Sequence, residues 1–116
     1  METCYNLNFL REYYGDDIES MKTILQLYLE ETPKELDIIE DHINTGNTYG
    51  CKQATHKIKT NVAMLGIKNL GNFVEEMHRT PAQSEIDSAI KGNFEVFNKG
   101  VRAALKELEE DMFKNQ

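Results

Sequence analysis

The chain has 116 residues, 40% hydrophobic and 28% charged, and its 13 Lys+Arg against 20 Asp+Glu leave a formal net charge of −7. That size and apolar content suit one compact domain, residues 1–116, with its own core. The acidic balance excludes a general nucleic-acid binder, which needs a basic face, and a protein that docks on anionic membranes.

The apolar spacing is helical almost throughout. A short first helix is predicted over roughly Leu7 to Tyr14 and is stopped by Gly15; Asp16 or Asp17 then caps the next helix. In that second helix Ile18, Met21, Leu25, Tyr28, Leu36, Ile39 and Ile43 recur at steps of three and four, with one interval of eight centred on Thr32. Pro33 has no amide hydrogen and is expected to bend or restart the helix. Asn44-Thr45-Gly46-Asn47 reads as a turn.

A third helix is expected from about Thr48 to Leu65, ended by Gly66 in a left-handed conformation. A fourth places Ile67, Leu70, Val74 and Met77 on one stripe and breaks at Thr80-Pro81-Ala82. The last helix is expected to open at Ser84, with Asp87 in a weak capping box. Its stripe is Ile86, Ile90, Phe97, Val101, Leu105, Leu108 and Met112, and Gly92 is a candidate kink. Such amphipathic helices with short connections bury their stripes by antiparallel packing. The expected fold is all-α: an up-and-down antiparallel four-helix bundle with an additional short N-terminal helix.

No apolar run approaches the roughly 20 residues that span a bilayer. The N-terminal Met1-Glu2-Thr3-Cys4-Tyr5 lacks the basic and apolar regions of a signal peptide. Two cysteines, Cys4 and Cys51, are too few for a disulfide scaffold, so a reducing, cytoplasmic setting is expected. The three histidines show no zinc-site spacing, and no glycine-rich ATP loop is present.

The chemistry points to the third helix. On a helical wheel Cys51, Ala54, Thr55, Ile58, Val62 and Leu65 form one side, which must be the buried one. His56 falls opposite, among Tyr49, Lys52, Gln53, Lys59, Thr60 and Ala63. It is therefore expected to be an exposed imidazole on a rigid rod, flanked by two cations, with Met64 bordering its face. His42 and His78 lie near helix ends, where a cation complements the dipole, and are read as no more than that.

His56, Lys59, Thr60 and Gly66 stand at the spacing of a known signature: a His, a Lys three residues on, a small residue at the fourth and a Gly at the tenth. With the Tyr28–Leu36 stretch, Ala54-Thr55-His56-Lys57-Ile58-Lys59 and Leu65-Gly66-Ile67-Lys68-Asn69-Leu70, the chain resembles the histidine-containing phosphotransfer (HPt) domain over about residues 7–112. The resemblance implies a phosphorelay carrier without a kinase or ATP site of its own. His56 would take a phosphoryl group from a receiver-domain phospho-aspartate and pass it to another receiver aspartate.

The partners so implied are receiver domains of a hybrid sensor histidine kinase or a response regulator, with magnesium supplied by the receiver and no cofactor on this chain. The carrier would be a monomer. Lys59 and Lys52 would neutralise phosphoryl oxygens, Gln53 could hydrogen-bond the ring or the phosphoryl group, and the bulk of Thr60 could narrow access or slow transfer while its hydroxyl could hydrogen-bond the phosphoryl group. Two departures stand out. Thr60 occupies a position that is usually Gly, and Met77-His78 stands where relatives often end the fourth helix in Leu-Glu. A helical adaptor without chemistry, and the phospho-accepting domain of a chemotaxis-type histidine kinase, are the competing readings.

Overall fold

The computed structural model describes residues 4–68 and 70–114; Met1-Glu2-Thr3, Asn69 of the Leu65–Leu70 pattern and the last two residues lie outside the described residues. The described residues form five helices and no strand: α1 (Asn8–Tyr14), α2 (Ile18–Asn44), α3 (Thr48–Met64), α4 (Phe73–Arg79) and α5 (Ser88–Lys114). α2 packs against α3, α3 against α4 and α4 against α5, and α5 returns to α2; α1 lies on α2. α2 and α3 run antiparallel, because the His42 ring lies against Gly50 at the connected end and Glu35 reaches Asn61 further along.

One apolar cluster draws on all five helices. Leu10 of α1, Leu36 and Ile39 of α2, Ile58 of α3, Phe73 and Met77 of α4, and Phe97 and Val101 of α5 are almost wholly buried. Each such side chain contributes about 2 kcal/mol relative to exposure. Phe73 is the keystone of α4: its ring centroid lies 5.3 Å from those of both Phe94 and Phe97.

Four boundaries differ from the sequence expectation. α2 is not restarted at Pro33 but is one helix of 27 residues. Thr32, fully buried, fills the gap in the apolar stripe, so both halves of α2 pack on the same core and offset the lost backbone hydrogen bond. α5 likewise runs unbroken through Gly92. It opens at Ser88, not Ser84, because the Asp87 carboxylate accepts from the Ile90 amide at 2.9 Å and is itself the cap. The fourth helix is shorter than its stripe suggests. Gly66 and Gly71 adopt φ of 59° and 70°, and buried Ile67 anchors an irregular crossing between them.

The N-terminal segment straps the far end of the molecule. The Asn6 amide donates to the Leu65 carbonyl at 2.9 Å, and the Lys68 amide to that of Cys4 at 3.4 Å. The Tyr5 hydroxyl donates to Asp111 near the end of α5, and burial followed by that carboxylate pushes the phenol up to about 12. Gly66 is required here twice over: its φ is left-handed, and a Cβ would collide with the Asn6 carbonyl.

Between α2 and α3 the Glu35 carboxylate, 7% exposed, accepts from Asn61 Nδ2 at 3.0 and 3.2 Å. Burial holds this carboxyl above its usual range, although Lys57 and the Asn61 hydrogen bond oppose the shift.

Two predictions follow from these contacts. Gly66→Ala should lower stability by about 2 kcal/mol. Gly92→Ala, at a helical position with open space around its Cβ, should raise it by about 0.5–1 kcal/mol. Urea unfolding of both variants checks the pair, and a Gly66 variant as stable as the parent would refute the strap contact.

The raised Glu35 carboxyl favours the folded state below its unfolded value, and that contribution is lost as pH rises through the folded value. Glu35→Gln, which keeps an acceptor for Asn61, should therefore gain stability relative to the parent as pH rises above about 4, measured by urea midpoints at several pH values. A constant difference between the two proteins would count against a costly buried charge.

Candidate functional site

α3 is defined at both ends by local chemistry. The Asn47 side chain accepts from the Gly50 amide at 2.9 Å and caps the start. Left-handed Gly66 follows the last turn. Between these ends Cys51, Thr55, Ile58 and Val62 are buried, with Leu65 just beyond, as the wheel requires. Ala54, at the border of the stripe, is half-buried. His56, midway along α3, is exposed on the opposite side.

The imidazole lies on the rim of two open hollows. One, of about 310 Å³, lies between α3 and α4 and is lined by His56, Lys52, Gln53, Lys59 and, from α4, Met77 and His78. The other, of about 400 Å³, is lined by His56, Lys59, Thr60, Ala63, Met64 and, from α1, Phe9. His56 and Lys59 are common to both. No Asp or Glu lines either hollow, so a chain of net charge −7 presents a cation-rich surface at this one histidine. An exposed imidazole with an ammonium one turn away is equipped to bear an anionic group reached from solvent.

The other expected residues divide. Lys59 and Thr60 are exposed beside His56, Thr60 on the α1 side. Gln53 lines the α4 side, and its Nε2 donates to the Tyr49 hydroxyl at 3.0 Å. Lys52 is not the free cation expected from its spacing. Its Nζ donates to the carbonyls of Met77 at 2.7 Å, His78 at 3.2 Å and Thr80 at 2.5 Å. Met77 and His78 lie in the last turn of α4 and Thr80 is its C-cap, so these carbonyls have no partner within the helix, and a lysine is well suited to satisfy them. Lys52 thus ties α4 to α3 and holds the wall of the hollow in place.

Two contributors escaped the wheel. His78, read from sequence as a cation at a helix end, is an exposed side chain in the His56 hollow. Phe9, 54% exposed, comes from α1 to the other hollow. No signal within α3 could have revealed either, because both arrive by helix packing. Met64 stands at the edge of the His56 face as expected. His42 contacts Asn47 at 3.3 Å, away from either hollow.

Among the described residues no group of three or more His, Cys, Asp or Glu is arranged to hold a metal ion, and no helix is long and apolar enough to cross a membrane. Searches among curated proteins and among solved structures find no significant match. A family model for the Hpt domain matches residues 23–111, which include α3, both lysines and the whole of α4. The exposed histidine on a clamped helix and the family match over most of the sequence agree: the chain belongs to the Hpt domain family, with a histidine phosphotransfer role in two-component signalling.

Proposed function

We propose that His56 carries the phosphoryl group, taking it from a phospho-aspartate of one receiver domain and passing it to an aspartate of another. The observation that carries this reading is an imidazole exposed at the middle of a helix fixed along its other side, with Lys59 one turn on. A neutral ring nitrogen forms the N–P bond as the acyl-phosphate P–O bond breaks. The receiver carboxylate leaves with the bonding pair, and the second ring nitrogen keeps its proton. The reverse sequence delivers the group onward. Lys59 offsets charge on the phosphoryl oxygens, and Thr60 and Gln53 are further hydrogen-bond partners for them. Magnesium belongs to the receiver, and the chain acts as carrier rather than kinase. Monomeric, cytoplasmic action completes the proposal.

Incubation with phosphorylated receiver domains and intact-mass measurement tests the reading. The expected result is one acid-labile phosphoryl group, absent from His56→Gln. A gain that persists in His56→Gln would overturn it. No gain with any receiver would favour the adaptor, and labelling only by an ATP-loaded kinase domain would favour the chemotaxis-type reading.

The lysines should differ in kind. Lys59→Ala should slow transfer about tenfold with little loss of stability. Lys52→Ala should slow it less but lower the urea midpoint, because the three carbonyls at the C-terminal end of α4 lose their donor. A larger kinetic loss in the Lys52 variant would reverse the assignment.

A further inference from the structure

α4 brings a second imidazole to the hollow beside His56. His78 is exposed in the last turn of α4 and lines the same hollow. Its backbone does not float: the His78 carbonyl, with those of Met77 and Thr80, is held by Lys52 from α3. That engagement occupies Lys52 and leaves Lys59 and His78 as the cationic side chains that can turn toward an anion on His56.

We propose that the His78 ring is a counter-charge and hydrogen-bond donor, supplied from α4, for the phosphoryl group on His56, and that it speeds phosphoryl uptake. The proposal rests on His56 being the phosphoryl carrier. During uptake the N–P bond forms at His56 while the donor's bond to phosphorus breaks and its leaving group departs with the electron pair. His78 neither gains nor loses a proton in this step; its ring N–H donates a hydrogen bond to a phosphoryl oxygen.

Among the described residues no carboxylate lines the hollow in competition for the His78 ring. From α3 the titratable groups lining the hollow with it are Tyr49, Lys52, His56 and Lys59. The segment after α4 contributes uncharged Ala82. α5 contributes no lining residue, and its Asn93 instead holds the Glu76 carboxylate of α4. On α4 itself exposed Glu75 stands one turn before His78.

The test uses phosphoramidate as donor, so that no partner need be known, and follows initial uptake by intact mass in the parent, His78→Gln and His78→Lys. All three proteins are compared under one condition, so the ratio between them is read. The parent should exceed His78→Gln by about threefold. His78→Lys, which keeps a cationic donor at this position, should hold the parent's rate, which a merely structural role would not restore. A Gln variant as fast as the parent, or a Lys variant as slow as the Gln variant, overturns the proposal while leaving the carrier reading intact. Uptake that His56→Gln does not abolish overturns the carrier reading, and this proposal with it.

Discussion

The burial of one side of α3 is the constraint from which the rest of the molecule follows. Cys51, Thr55, Ile58, Val62 and Leu65 leave water together, and helical geometry then turns His56 outward. A side chain opposite a packed stripe cannot retreat into the core without turning the whole helix. The supports around α3 oppose that turn: the Asn47 cap at its start, the Glu35–Asn61 contact on the α2 side, Lys52 on the α4 side and the Asn6–Leu65 strap at its end. Each is a polar contact of ordinary strength. Their joint effect is to give a reactive imidazole a fixed position while leaving it in water.

Charge is distributed to the same end. The chain carries an excess of acid, yet the two hollows beside His56 contain lysine and histidine and no carboxylate. A global charge affects solubility and long-range approach, whereas a local cluster decides what sits beside one atom. Membership of the Hpt family gives this local inversion its meaning, because the group to be carried is an anion. The division of labour between the lysines follows from what each touches. Lys52 is spent on α4 carbonyls and shapes the wall, and Lys59 remains beside the histidine.

Several features depended on local chemistry and were legible residue by residue. The exposed face of His56 came from the period of the apolar residues on α3. The cap of α2 is narrowed by sequence to Asp16 or Asp17, the carboxylates just before an apolar run, and it is the Asp17 side chain that accepts from the Ser20 amide at 3.1 Å. The end of α3 came from Gly66. Two boundaries turned on competition between local signals. Ser84 reads as a cap with Asp87 as its partner three residues on, whereas the Asp87 carboxylate itself accepts from the Ile90 amide. Ile67 and Leu70 sat in helical register with Val74, but two left-handed glycines took the backbone out of the helix before Phe73.

From sequence alone came the all-helical class, the face on which His56 stands and the residues its own helix puts beside it, since all of these rest on a period of 3.6 residues and on neighbours a few positions away. Tertiary structure decided what crosses from other helices. It delivered His78 from α4 and Phe9 from α1 to the two hollows, and it turned Lys52 from an apparent partner of the imidazole into the cap of α4. The physical reason is that a flexible four-carbon stem reaches several competing acceptors, and only the packing of α4 against α3 determines which of them is in range.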